Sequence, residues 1–458
     1  MGKKLLLTIF IGGSMYGQIG INTGNTIDAS AALEIESNSK GLLLPRLTNH
    51  TLVTDPTDGL MIYDIDDACV NIYAGKKWVN LCASTGASIQ CGDGYTTETV
   101  KSIEVTGQNG VSFLVTDSGE LMVAGRVFNQ FEGMTDQFNY DFNVINGPWP
   151  SGSVLYADLT ATNSTTALYA VVGTTDGLYY QLGGSANWTK ATSYSGGTIT
   201  KVQVSKSGGT SILDVNGDVY YTSSLSSDTF SKIASLDAVT ITNIVAGGGN
   251  GTSGGTTYIN YAWATGDTKL YYWETDPTNV QSHTFTSGIA DVDSGGKPRN
   301  ITPTMITLNN GDLYLIGALS YYGLTGTDFT TPLALTLTPI DRALDSDEKV
   351  VKVGVAQSDT GHFVTNKGNV YSHTDDTGWY HEYEIKVSDP TTVDFSTPGN
   401  LKGVMAIIDG NLAVWAADDT GTGPNTGNGD PIAEGSGISP AGKPTISTPV
   451  YVPICTKN

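Results

Sequence analysis

Met305-Ile-Thr-Leu-Asn-Asn-Gly311-Asp-Leu-Tyr-Leu-Ile316 reads as two β-rich runs joined by a glycine turn. The Asn-Gly step supplies the positive φ that a tight connection needs, and the flanks are residues suited to a pleated, buried surface. Six more copies of this phrase follow residue 100: Phe113–Ala124, Tyr169–Tyr180, Ser211–Tyr221, Tyr261–Trp273, His362–Ser372 and Met405–Trp415. Their turn glycines are Gly119, Gly177, Gly217, Gly266, Gly311, Gly368 and Gly410, at successive gaps of 58, 40, 49, 45, 57 and 42 residues. That period is about one four-stranded propeller blade. A lone hairpin cannot bury both of its apolar faces, so the copies must stack around an axis. The pattern predicts an all-β chain built on a seven-bladed β-propeller, with six or eight blades as the counting alternatives and a sandwich array as the competing fold.

Gly311-Asp-Leu-Tyr-Leu-Ile-Gly317 with the following Tyr321-Tyr322-Gly323-Leu-Thr-Gly326 resembles the regulator-of-chromosome-condensation type of propeller repeat. Gly119 to Gly125, followed by the loop to Gly133, resembles it nearly as well, and Gly361-His362 through Tyr371 in part; the other copies lack the second glycine loop. The resemblance implies a fold rather than a partner. It also implies a structural role for His362, facing a neighbouring blade.

Composition points the same way. With 56 glycines, 23 tyrosines and 15% charged residues, the chain is made of turns and strands, and no segment sustains a capped helical period. The formal charge is −22, from 45 acidic and 23 basic residues. A nucleic-acid partner would require a basic footprint, and none is visible.

Met1-Gly-Lys-Lys, the apolar Leu5 to Ile11, and the small residues Gly12, Gly13, Ser14 and Gly17 read as a signal peptide over 1–18. No apolar run reaches the 18 residues a membrane helix needs. Next come Ile19-Gly-Ile-Asn-Thr23, Asp28 to Glu36, Lys40-Gly-Leu-Leu-Leu-Pro-Arg46, Pro56 to Tyr63 and Cys69 to Cys82. This string resembles the leader module of surface and fibre-like proteins of Bacteroidetes bacteria and their phages. The resemblance implies a secreted or surface-displayed protein, in some cases trimeric through this module, and implies no chemistry. The expected domains are the leader module at 19–83, a small-residue linker at 84–90 and the propeller at 91–458.

Cys69 and Cys82 bracket a hairpin whose turn lies at Ala74 to Lys77. Pairing them sets Ile72 opposite Val79 and Tyr73 opposite Trp78, with one wholly aliphatic face, so register and patterning agree with a disulfide. Cys91 and Cys455 then remain, flanking the repeats where first and last blades must meet. A bridge there could stabilise by about 4–5 kcal/mol in the chain-entropy model. The cysteine spacings match no zinc pattern.

Chemistry is sparse. His362, His373 and His381 fall near Asp375, Asp376 and Glu382, but solvated loop histidines explain them better than a convergent site; His50 and His283 are isolated. Gly247 to Gly255 reads as a flexible insertion. Asp291-Val-Asp-Ser-Gly295 could offer oxygen ligands to calcium, yet lacks the bidentate glutamate of a calcium loop, so no cofactor is expected. A glycosidase would need two close axial carboxylates; Asp117, Asp176, Asp218 and Asp312 lie instead beside turn glycines. The sialidase-type aspartate box has only a poor imitation in Ser226-Ser-Asp-Thr-Phe230.

The function expected is therefore non-enzymatic: a secreted or surface-displayed binding or adhesion protein of a Gram-negative bacterium, meeting an extracellular protein or glycan through propeller loops. A fibre subunit and a glycan-cleaving enzyme are the alternatives. Tyr321, Tyr322, Trp379 and Tyr380 are the candidate contact aromatics, because each pair follows a repeat phrase in an expected loop.

Overall fold

In the computed structural model the described residues are 19–21, 30–48, 52–65, 69–74, 77–80, 95–105, 111–125, 139–161, 168–182, 187–205, 207–246, 251–253, 256–258, 262–274, 276–294, 303–318, 327–337, 342–355, 361–374, 378–396, 403–416, 450–452 and 454–457. Among them there are strands and short 3-10 turns and no α-helix. The chain divides into two compact units, 1–87 and 88–458. The signal segment, His50, Cys82, Cys91, Tyr321, Tyr322, Asp375, Asp376 and the stretch Asp418 to Lys443 lie outside the described residues.

In the first unit Ile19–Ile21 pairs in parallel with Leu33–Ile35. A four-stranded sheet follows in the order Arg46–Leu47, Met61–Asp64, Cys69–Ala74, Lys77–Asn80. Its last hairpin has the expected register, Ile72 opposite Val79 and Tyr73 opposite Trp78, and the two aromatic rings meet edge to face at 5.4 Å.

The second unit is a β-propeller repeat. Seven four-stranded antiparallel sheets occur among its described residues, each in meander order. Their first strands are Val100–Val105, Val154–Ala161, Ile199–Val204, Asn243–Ala246, Ile289–Ser294, Val350–Val355 and Asp394–Ser396. The seven glycine phrases are the second and third strands of these sheets, one phrase to a sheet. In the fourth sheet a small hairpin, Gly251–Ser253 with Thr256–Tyr258, is inserted after the first strand, so part of the glycine-rich stretch read as flexible is paired.

The middle strands are apolar on consecutive residues because both of their faces are buried. Phe113 packs toward the second sheet while Leu114 packs toward the seventh. The tyrosine doublets obey the same rule: Tyr179 joins the layer between the first and second sheets, and Tyr180 the layer between the second and third. Each neighbouring pair of sheets shares such a core. The series closes on itself, since Met405, Ile407 and Leu412 of the seventh sheet pack on Val100, Ile103, Leu114 and Met122 of the first.

One hydrogen bond repeats at this closure. The turn glycine Gly119 accepts from Val154 N–H of the second sheet at 3.0 Å, and Gly410 accepts from Val100 N–H of the first at 2.9 Å. Gly119 has φ +82, and a Cβ there would stand 2.3 Å from the Gly152 carbonyl oxygen, so no side chain is admissible. Gly266 differs from the other phrase glycines. It ends its strand with ordinary φ, and Asp267 takes the left-handed conformation instead (φ 49). The termini add a tie: Tyr95–Thr97 pairs with Cys455–Lys457, Glu98 N–H donates to the Ile454 carbonyl at 2.8 Å, and Cys455 is disulfide-bonded.

Candidate functional site

The first strand of each sheet is an edge, with backbone N–H groups that must find partners. Side chains of the preceding sheet supply them. Asp158 accepts from Val204 N–H at 2.6 Å, Gln203 from Ala246 N–H at 3.4 Å, Asp291 from Val353 N–H at 3.1 Å and Asp293 from Val355 N–H at 2.8 Å. Carboxylates and amides thus strap one inner strand to the next. Five of the seven inner strands also carry a register shift after their first residue, at Val100/Ser102, Val154/Tyr156, Ile199/Lys201, Ile289/Asp291 and Val350/Lys352. Such bulges re-aim the side chain that follows. Here they turn Tyr156, Lys201, Asp291 and Lys352 into a shared cavity of about 380 Å³, which Glu104, Gln203, Asn243, Asp293 and Asp394 also line.

The cavity is polar and carries both signs of charge. Tyr156 Oη donates to Glu104 at 3.1 Å, and Gln203 Nε2 donates to the same carboxylate at 2.9 Å. Lys201 Nζ donates to Asn243 Oδ1 at 2.9 Å and lies over the Tyr156 ring. Lys352 stands 3.7 Å from Asp291. Asp394 has neither a hydrogen bond nor an ion pair among the described residues. Burial pushes the Asp293 carboxyl up to about 7 and that of Asp394 up to about 6, and raises Asp291, where Lys352 pulls the other way. Burial, reinforced by Glu104, holds the Tyr156 hydroxyl well above its usual range.

A raised folded value means the native state binds protons that the unfolded chain releases. Stability contributed by Asp293 and Asp394 therefore grows as pH falls from above about 7 toward the unfolded value near 4. A melting series should show the transition temperature rising between pH 8 and pH 5. A flat profile in wild type, or the same rise in a doubly Asn-substituted chain, would count against this account.

Several sequence readings change here. The expectation that acidic residues keep to solvated turns holds for Asp176, which pairs with Lys190 at 2.7 Å, and for Asp218, which pairs with Lys232 at 2.9 Å. It fails for the axial carboxylates. Asp291 to Ser294 is an inner strand, not a calcium-type turn, and its two aspartates are engaged by backbone N–H groups. Among the described residues no cluster of three or more His, Cys, Asp or Glu is placed to hold a metal. The histidines are not solvated loop residues. His362 is fully buried, stacks on Phe395 of the next sheet at 5.7 Å, and meets Ser372 Oγ at 2.9 Å through Nδ1; Ser372 in turn donates to Glu382 at 2.5 Å. Burial lowers the His362 imidazole to about 3. His373 is buried against Trp379, and His283 stacks on Tyr272 at 4.8 Å.

Trp379 and Tyr380 are strand residues of Gly378–Lys386 rather than loop aromatics. Trp379 is 4% exposed and packs on Phe363 at 4.8 Å, which removes it as a contact anchor. The axial site itself was missed, although a signal existed. Upstream of the phrases run the polar–apolar–polar triplets Ser102-Ile-Glu104, Tyr156-Ala-Asp158, Lys201-Val-Gln203 and Asp291-Val-Asp293, the alternation of a strand with one polar, inward face.

Residues 20–97 match the family described as "Phage tail like trimerisation region". No curated relative matches the chain. Among solved structures, human WBSCR16 is 12% identical over 61% of this chain and 77% of that one, with a TM-score of 0.45. YCF48 bound to D1 peptide is 11% identical over 74% and 97%, with a TM-score of 0.46. The β-propeller domain of Cps50 (Swd1) from Myceliophteria thermophila is 9% identical over 71% and 100%, with a TM-score of 0.46.

Proposed function

We propose that this chain is a trimeric binding protein in which residues 20–97 assemble three copies and a seven-bladed propeller is the displayed head. A propeller-type fold joined to a phage tail-like trimerisation region fits a binding or fibre-subunit role. The observation that carries assembly is where apolar surface remains uncovered. Of the ten large hydrophobic side chains exposed among the described residues, nine lie between Ile21 and Ile65, with Leu42 at 64% and Leu43 at 80% exposure. An apolar concentration of that kind marks an interaction surface, and a second and third copy are the covering partners. Mass measurement of the purified chain should give three times the mass of one copy, which is 48.1 kDa before residues 1–18 are removed. Leu42→Asp with Leu43→Asp should reduce it to one copy while the propeller still melts cooperatively. A monomeric wild type, or a double variant that stays trimeric, would overturn the assembly.

Display outside the cell of a Gram-negative bacterium, after removal of residues 1–18, is part of this reading, as are the Cys69–Cys82 and Cys91–Cys455 bridges. They are supported by the basic and apolar start of the chain, the disulfide at Cys455 and the hairpin register, which sets position 69 opposite 82 when extended. The head is read as non-catalytic, because three of its inner carboxylates (Asp158, Asp291 and Asp293) are engaged by strand N–H groups rather than left free for acid–base work. Glycan turnover by the wild-type chain would reverse that. The trimerisation match equally favours a subunit of a surface or phage-type fibre, with Tyr321 and Tyr322 as the remaining proposed loop contacts to an outside protein or glycan.

A further inference from the structure

We propose that the axial cavity of the propeller binds a small zwitterion, a molecule of amino-acid size carrying one ammonium and one carboxylate. Two groups of opposite sign line the same cavity and feel each other's charge without closing to an ion pair. The Asp394 carboxylate makes no hydrogen bond or ion pair among the described residues; Lys201 acts on it only at a distance, its ammonium donating to the Asn243 amide oxygen and lying over the Tyr156 ring. The remaining charges are committed: Asp291 and Asp293 to strand N–H groups, Lys352 to Asp291, and Glu104 to Tyr156 and Gln203. Asp394 and Lys201 are half-buried, a charge withdrawn from bulk water without a contact partner is costly, and a ligand with both signs relieves them together. A cavity of about 380 Å³ is at the small end of ligand sites and suits such a molecule.

Recognition by both charges separates this site from a generally acidic surface, which matters in a chain of net charge −22. A simple amine would be drawn to many places on the protein, whereas a zwitterion has no net charge to be drawn by. Among the described residues the charged and titratable groups facing the cavity are Glu104 from the first sheet, Tyr156 from the second, Lys201 from the third, Asp291 and Asp293 from the fifth, Lys352 from the sixth and Asp394 from the seventh; the fourth presents only uncharged groups, Asn243 among them. Because Asp394 takes up a proton at about pH 6, affinity should fall at lower pH. This inference is independent of the trimer, since every residue it uses belongs to the propeller.

Titration calorimetry of the full chain at pH 8 would use glycine, 4-aminobutyrate and 6-aminohexanoate as zwitterions of increasing charge separation, against butylamine and butyrate as single-charge controls. At least one zwitterion should bind below about 10 mM, at least tenfold tighter than either control. Asp394→Asn and Lys201→Met should each weaken it tenfold or more, and pH 5 should do the same. Asp347→Asn, an exposed carboxylate paired with Lys367, should change nothing. Asp394→Asn is isosteric and removes an unfavourable charge, so a cooperative melting transition at pH 8 no lower than that of wild type will show that the variant is folded. Absence of binding by all three zwitterions, equal binding of butylamine, or undiminished binding by Asp394→Asn would each overturn the assignment.

Discussion

Replacing Glu348 with alanine should cost the propeller about 3–5 kcal/mol, the usual penalty for breaking one half of a buried ion pair. Glu348 precedes the first strand of the sixth sheet and its side chain is fully covered. Arg342 reaches it with both terminal nitrogens, at 3.1 and 2.9 Å, and Thr365 Oγ1 and Asn369 Nδ2 donate to it at 2.8 and 2.6 Å. Asp345 N–H adds a further bond at 3.2 Å. Arg342 also donates to the hydroxyl of Tyr371, itself a core residue. The carboxylate therefore pins the incoming segment to the hairpin turn between Thr365 and Asn369, and its loss deprives the guanidinium of its bidentate partner and three further donors of their acceptor.

The same site fixes an acid limit. Hydrogen bonds from Arg342, Asn369 and Thr365 outweigh burial and hold the Glu348 carboxyl down at about 2, against 4.5 when unperturbed. A depressed folded value contributes stability that is present above about pH 4.5 and lost as pH falls toward 2. Together with the opposite slope set by Asp293 and Asp394, stability should peak near pH 5 in wild type. In Glu348→Ala the acid limb should flatten. Urea unfolding at pH 7 and pH 3 measures both effects; a loss under about 1 kcal/mol at pH 7, with the acid limb intact, would sink the account.

What the sequence made legible was whatever repeats with the backbone. The phrase glycines mark hairpin turns because a left-handed residue is required in a tight connection, and even the exception at Gly266 only moves that residue by one place, to Asp267. Consecutive apolar residues such as Phe113-Leu114 signalled strands buried on both faces. Long-range partners were not legible. Asp291 and Asp293 look like a turn because aspartate favours turns, but their acceptor role depends on N–H groups more than 60 residues away, at Val353 and Val355. Trp379 reads as a loop residue because it follows a repeat phrase. Gly378 opens the fourth strand, and His373 faces Trp379 across the strand pair. That strand lies outside the repeated glycine phrase, and Trp379 belongs to it. His362 was placed against its neighbour by resemblance to a repeat family, and its stacking on Phe395 agrees with that placement.

Opening the disulfide at Cys455 should cost the second unit about 4–5 kcal/mol, less any native strain, if Cys91 is the partner as proposed, because a bridge across the whole repeat constrains the unfolded chain most. The folded ring should nevertheless stay closed at neutral pH. Its closure is also non-covalent: the seventh and first sheets share a core with Ile454, Thr456 Oγ1 donates to Glu98 at 2.6 Å, and Gly410 accepts from Val100. Cys455→Ser should therefore unfold at lower denaturant with unchanged circular dichroism before the transition. Cys82→Ser removes a bridge closing only a short loop, which belongs to the first unit, so it should leave the propeller's transition in place. If Cys455→Ser matched wild type, or if peptide mapping joined Cys82 to Cys91, the bridge would not be the clasp. If instead the variant lost its native spectrum altogether, the shared core and the backbone bonds would be too weak to hold the ring, and the covalent tie would be the element that makes closure possible.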